Sequence, residues 1–368
     1  MKNLKELWEY DKKKVLLITG ITILSIIIVI ALIVILVNIF RRYSYKEVEN
    51  MMVSSTKTYL KEHKDLIPNE MKEIETIETS TLISGKYLKE LDKLSKEKGC
   101  SGKVTIIYNE GSLRYTPSLS CPNYETTTLK DIILSSEKIK DSGNGLYELN
   151  DYYTYRGEYV NNYVKFVNYS WRILKFNNDM IYLVLSDTLN NKTMYVYDDR
   201  FNESTNNYKG KNDFASSRMY LTLNDFYENY FKNYHSYLQV MDACTHSRSE
   251  MDQDKTGAIE CFSTYKTPIS LLAVYDYMNA SVDPQCLVSS SKNCSNYNYL
   301  SKATNKYWLM NGTNENSYEV YSANNTGAIV LDVANAKKDI RLVIALPTDL
   351  VYKNGIGTSD NPYEFYEY

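Results

Sequence analysis

The chain has 368 residues, a formal net charge of −3 and 43% hydrophobic residues. That length accommodates two folded domains, and the mildly acidic balance excludes a nucleic-acid partner, which would require a basic face. Tyrosine is over-used, at 36 positions, alongside Asn, Lys and Ile; A/T-rich codons explain the bias blandly, and a Tyr/Asn surface for carbohydrate or protein explains it more sharply.

Residues 1–14 are short and charged, with no room for a domain. The stretch from Val15 to Phe40 contains no charge and no proline. As a helix it reaches roughly 39 Å, enough to cross a ~30 Å hydrocarbon core. The sequence therefore predicts one transmembrane helix over 15–40, with the lipid bilayer as a partner. Lys2, Lys5, Lys12, Lys13 and Lys14 precede it, against Arg41, Arg42 and Lys46 after it, which predicts a cytoplasmic N-terminus and an extracellular ectodomain. All six cysteines follow this stretch, as the sequence-local couples Cys100 and Cys121, Cys244 and Cys261, and Cys286 and Cys294. In an exported region they read as disulfides. Fifteen connectivities exist for six cysteines, nearest-neighbour pairing being the simplest.

From Tyr45 the chain reads as an amphipathic helix, with Val48, Met52 and Tyr59 on one face and Pro68 limiting it. A second helix is predicted over 81–99, where Leu88, Leu91 and Leu94 form a stripe and Gly99 caps the end. A β-hairpin follows, turning at Asn109-Glu110-Gly111 between Cys100 and Cys121. A bridge there would clamp the hairpin ends and add about 3 kcal/mol. Residues 43–128 thus form a small membrane-proximal α+β module, and 129–150 read as a linker.

Over 151–368 strand signals dominate, rich in Tyr, Val and Ile and broken by Asn-containing turns. Helices are predicted around Met219, Leu223, Phe226 and Tyr230, and again after Pro268. Short strands return at 306–311, 317–322, 328–333 and 339–346.

Five pieces in this half occur in a telling order: Trp171-Arg172-Ile173, Leu271-Leu272 with Tyr275 to Tyr277, Tyr307-Trp308-Leu309, Ile340-Arg341-Leu342-Val343, and Gly355 to Tyr363. Together they resemble exported domains of low-GC Gram-positive bacteria and their wall-less relatives. Those domains look like distant members of the C-type-lectin-like class, related in fold to formylglycine-generating enzymes. The resemblance implies a C-type-lectin-like α+β domain over 151–368. Two departures stand out: Leu342 occupies the place of a usual proline after Arg341, and the cysteine pair of the copper site is missing, so that activity is not implied. An apolar stretch leading into an amphipathic helix also resembles pilin-like proteins, but their Gly-Phe processing junction is absent.

Three constellations bear on chemistry. Cys244 with His235 or His246, and Arg248 as an oxyanion donor, would form a sortase-like nucleophile site; Cys261 offers Cys244 a disulfide instead. Asp252, Asp254 and Thr256 fall at calcium-loop positions before Gly257, but Ser263 stands where the bidentate acid belongs, so no metal and no cofactor are expected. Tyr318 and Tyr321, beside Asn311, Asn314 and Asn316, would line a sugar- or peptide-binding surface; Trp171 and Trp308 read as core.

The expectation is therefore an α+β protein: an N-terminal transmembrane helix, a membrane-proximal module and a C-type-lectin-like domain. Its expected role is a bacterial cell-surface binding or adhesion protein, without enzymatic activity, for a glycan, wall polymer or protein. The alternatives are a structural envelope or pilin-like protein that self-associates through the helix from Tyr43, and a cysteine-dependent enzyme.

Overall fold

The computed structural model describes residue 19 and residues 21–30, 42–69, 74–149, 151–189, 193–283, 286, 298–324 and 326–368. Within them the chain is a mixed α/β protein, mostly sheet.

The expected transmembrane helix is not upheld. Among the described residues, no helix is long and apolar enough to cross a membrane. Thr19 and residues 21–30 are helical; the ten consecutive residues rise ~15 Å, about half a ~30 Å hydrocarbon core. The rest of 15–40, and all of 1–14, lie outside the described residues. The fold thus gives no support to a single-pass topology or a bilayer partner.

Helix α1 (Tyr45–Glu62) begins with a capping box, in which the Ser44 hydroxyl accepts from the Glu47 amide and the Glu47 carboxylate accepts from the Ser44 amide. It buries Val48, Met52, Val53 and Leu60 against an antiparallel sheet. The strand order is β1 (Ile74–Glu78), β2 (Ser101–Asn109), β3 (Ser112–Cys121) and β4 (Tyr124–Glu125). Each such side chain contributes about 1.5–3 kcal/mol when fully withdrawn from water. Gly102 on β2 permits the approach, since a Cβ there would stand 2.8 Å from both Met52 Cε and the Ser118 carbonyl.

The single helix predicted over 81–99 is instead two short ones, α2 (Thr79–Ser84) and α3 (Leu91–Leu94). Gly85 ends the first, and Leu88, Leu91 and Leu94 still reach the module's core. Cys100 is bonded to Cys121 across the base of the β2–β3 hairpin.

The tip of that hairpin docks on the second module at a 3₁₀ turn, Lys232–Tyr237. Asn109 Nδ2 donates to the His235 carbonyl (2.8 Å), and Ser112 Oγ donates to the Asn233 carbonyl (3.0 Å). Tyr227 Oη donates to Glu110 Oε2 (2.9 Å), which also lies 2.8 Å from His235 Nδ1. Buried Arg114 pairs with Asp349 at 2.7 Å.

The second module is built on a seven-stranded antiparallel sheet. Its path runs β13 (Ile269–Leu271), β18 (Leu342–Pro347), β9 (Met180–Leu185), β8 (Tyr169–Phe176), β6 (Tyr152–Arg156) and β5 (Gly145–Leu149), with β7 (Tyr163–Phe166) also paired to β8. Smaller sheets surround it: β10 (Tyr195–Val196) with β17 (Lys337–Lys338), β11 (Met241–Cys244) with β12 (Thr264–Thr267), and β19 (Tyr352–Asn354) with β20 (Glu364–Phe365). A three-stranded sheet joins β14 (Tyr307–Gly312), β15 (Glu319–Ala323) and β16 (Ile329–Val333).

Residues 129–150, read as a linker, carry helix α4 (Leu129–Ser136) and edge strand β5, and place Leu129, Ile133 and Leu146 in the large core. Helix α5 (Arg218–Tyr230) buries Met219, Leu223 and Phe226, as its spacing predicts, while Tyr230, expected on the same face, is exposed and Tyr227 is buried instead. The helix expected after Pro268 is divided: Ile269, Ser270 and Leu271 are drawn into the sheet as partners of β18, and α6 (Val274–Asn279) follows. Trp171 and Trp308 are fully buried, each indole donating to a backbone carbonyl.

Cys244 is bonded to Cys261, closing the loop between β11 and β12. Cys286 is disulfide-bonded too, while Cys294 lies outside the described residues. These bonds are those of a protein that matures in an oxidising, extracytoplasmic setting.

Candidate functional site

Strand β8 organises the two clefts that draw attention. Its register against β9 slips between Ile173 and Lys175, so that Lys175 faces Tyr182 in the place Leu174 would otherwise hold. A bulge of this kind re-aims side chains. Here it puts Arg172 and Lys175 on the same face, each at one cleft, while Trp171 and Ile173 fill the core behind.

The Arg172 cleft encloses about 880 Å³. Tyr163 lies directly across from Arg172 in the β7–β8 ladder, and opposed residues stand side by side on one face. The guanidinium carbon accordingly sits 3.9 Å from the Tyr163 ring centroid and 4.8 Å from that of Tyr299. Nε donates to Asn162 Oδ1, and Nη2 to the Val160 carbonyl (3.3 Å). Asn162 is itself fixed, its Nδ2 donating to the Ile173 carbonyl at 2.7 Å. Burial lowers the Arg172 pKa from its usual value, opposed by Tyr163 and Tyr299, and the side chain stays charged regardless.

At the rim, Lys302 pairs with Glu158 at 2.6 Å, and Tyr159 is 73% exposed. Asp187 accepts from the backbone amides of Thr304 and Thr188, both at 2.7 Å, and from the Thr304 hydroxyl. Burial raises the Asp187 pKa, but those donors more than offset it and leave the carboxyl below its ordinary value. The far wall is the turn bearing Thr358 and Ser359. It requires Gly357, with φ +76°, because a Cβ there would meet the Asn161 carbonyl at 2.4 Å.

The Lys175 cleft encloses about 700 Å³. The ammonium pairs with Asp276 at 2.8 Å, donates to Tyr275 Oη at 2.5 Å, and stands 4.7, 5.2 and 5.4 Å from the Tyr275, Tyr182 and Tyr152 ring centroids. Burial opposes its charge, yet Asp276 and Tyr275 hold its pKa above the usual lysine value. It is thus a satisfied ammonium and no nucleophile.

The residues singled out from sequence lie elsewhere. Asn311 and Tyr321 are buried. Asn311 ties strands together, donating to the carbonyls of Cys244 (2.9 Å) and His246 (3.1 Å) and accepting from the Val274 amide (3.0 Å). Tyr321 Oη donates to the Arg248 carbonyl at 3.3 Å. Asn316 Oδ1 accepts from the amides of Tyr318 and Glu319. Only Asn314 is left exposed, with Tyr318 half-buried under Lys209. The five do not converge on one surface.

The calcium-like loop is organised by a cation of the protein's own. Arg248 Nη2 donates to the Asp252 and Asp254 carbonyls (2.6 and 3.1 Å), and its Nη1 meets Glu260 Oε1 at 2.5 Å. The Asp254 carboxylate accepts from Thr256 and Gly257 within the turn, and that of Asp252 from Ser249. Among the described residues, no group of three or more His, Cys, Asp or Glu side chains gathers to hold a metal. Cys244, oxidised, has no thiolate; His235 is stacked on Tyr227, and His246 lies 3.4 Å from Ser263 Oγ.

Sequence reasoning named neither cleft. The available signal was a lone arginine inside the apolar run YSWRILKF, and the Gly-rich stretch 355–359 that builds the far wall. Compared with protein families, with curated proteins and with solved structures, the chain matches none of them.

Proposed function

We propose that this chain is a non-catalytic binding protein of an extracytoplasmic setting, and that the Arg172 cleft takes a glycan. The observation that carries this reading is the cleft's mixture of surfaces. An exposed tyrosine ring at the rim suits the apolar face of a sugar, while Thr304, Thr358, Ser359 and Asn161 offer hydroxyl partners. Binding sites of this size are concave with a few fixed polar groups. Lectin-like binding also agrees with the C-type-lectin-like order of segments read in the sequence.

The test is saturable binding of the full oxidised chain to a panel of glycans and wall polymers, beside Tyr159→Ala. Binding to at least one class, weakened about tenfold by Tyr159→Ala with unchanged thermal unfolding, supports the reading. Absence of binding to every member of the panel overturns it.

A further inference from the structure

Four arginines are buried among the described residues: Arg114, Arg172, Arg248 and Arg341. Two have a carboxylate partner, and a third has all three guanidinium nitrogens bonded to carbonyls. Arg114 pairs with Asp349, and Arg248 with Glu260. Arg341 spends Nε, Nη1 and Nη2 on the carbonyls of Leu185, Leu300 and Ser186, all within 2.8 Å. Arg172 differs. It is only 6% exposed, its Nε and Nη2 face neutral oxygens, and its Nη1 donates to no carbonyl or carboxylate among the described residues.

The cleft's own acids do not compensate it. Glu158 is committed to Lys302, and Asp187 to Thr304 and Thr188. The charged group that bears on Arg172 is a second cation, Arg341, which disfavours the charge further. A buried charge without a counter-charge is costly. The Tyr163 and Tyr299 faces and a side-chain hydrogen bond to Tyr163 offset part of that cost; Nη1 is the guanidinium nitrogen with no carbonyl or carboxylate partner among the described residues.

We propose, building on the glycan-binding reading, that the Arg172 cleft selects acidic glycans: a polyhydroxylated chain bearing an oxyanion, carboxylate or phosphate, that Arg172 Nη1 engages. Tyr159 carries the neighbouring ring face, and the rim hydroxyls hold sugar hydroxyls. An oxyanion supplies the missing counter-charge through a charge-assisted hydrogen bond, which is the stronger kind. Neutral sugars leave it unmet.

Calorimetric titration of the full oxidised chain with trigalacturonate, its fully methyl-esterified form and a glycerol phosphate oligomer tests this. The ester keeps the rings and removes the charge, so the comparison needs no altered protein. The expected result is binding of trigalacturonate or the phosphate oligomer about tenfold or more tighter than the ester; which of the two binds identifies carboxylate or phosphate as the source. Arg172→Met, checked for unchanged thermal unfolding, should erase that preference, and Tyr159→Ala should weaken the preferred acid and the ester alike. Equal affinity for acid and ester overturns the oxyanion assignment and leaves glycan binding standing. No binding of any of the three, with binding to neutral glycans elsewhere in the panel, also overturns it. No binding to any glycan overturns both readings.

Discussion

Arg248 and Glu260 make the most consequential ion pair of the described chain. Both side chains are 0% exposed, the Nη1–Oε1 separation is 2.5 Å, and Arg248 Nη2 also holds two carbonyls of the loop that the Cys244–Cys261 bridge closes. Removing one partner strands the other charge in the interior, which costs about 3–5 kcal/mol. Glu260→Ala belongs at the upper end, since no second carboxylate pairs with Arg248 among the described residues. In a domain of roughly 200 residues that loss lowers Tm by about 6–20 °C. Replacing both partners, as Arg248→Met with Glu260→Leu, removes charge and counter-charge together and should cost less than Glu260→Ala alone. Burial raises the Glu260 pKa, and Arg248 opposes this only in part. The folded state therefore holds that proton more tightly than the unfolded state, so this group's unfavourable contribution is largest at neutral pH and shrinks as pH falls toward its raised pKa. Urea unfolding under non-reducing conditions, for the two variants and the parent, gives the comparison. A loss under about 1 kcal/mol for Glu260→Ala would refute the argument that this pair is a desolvated unit.

Other outcomes follow from the same reasoning. Cys100→Ala with Cys121→Ala opens a bridge spanning 21 residues and should cost about 3 kcal/mol, read as a lower urea midpoint. Gly357→Ala forces a side chain into the left-handed region and against the Asn161 carbonyl; a loss of about 1–3 kcal/mol is expected, with weakened glycan binding in the same titration. Asp187, whose pKa is depressed in the fold, contributes stability that is present above its unfolded pKa of about 3.9 and is lost as pH falls through the lower folded value. Thr304→Val removes one donor to it, so that variant should lose less stability than the parent as pH falls below about 4; identical acid profiles would remove Asp187 from the account.

Local physics was legible in the sequence. The helix face bearing Val48 and Met52 and the hairpin turning at Glu110 follow from spacing and turn chemistry alone, as does the burial of Trp171 and Trp308; the Ser44–Glu47 capping box emerged only with the structure. What escaped was long-range. Ile269 to Leu271 look helical until β18 is there to pair them. The slip at Leu174, which sets both clefts, leaves no periodic trace, because residues 171–174 are all buried. Asn311 and Tyr321 read as surface groups since Asn and Tyr abound nearby; their partners, the carbonyls of Cys244, His246 and Arg248, lie more than sixty positions away. Arg172 was visible as a charge in an apolar strand, but its lack of a counter-charge is a fact of three dimensions.

The docked hairpin bears on the order in which the chain acquires its form. Every strand of the first module and its disulfide are available once residue 125 has been made. The partners of the hairpin tip arrive much later: His235 is 126 positions beyond Asn109, and Asp349 is 235 beyond Arg114. A vectorially synthesised chain therefore completes its first module early and carries Asn109, Glu110 and Arg114 in water until the second module supplies their sites. Because loop closure over such distances is slow, docking should form the last kinetic phase of refolding. It should be visible as a late gain in protection of the Lys232–Tyr237 amides, after the β2–β3 ladder is already protected from exchange.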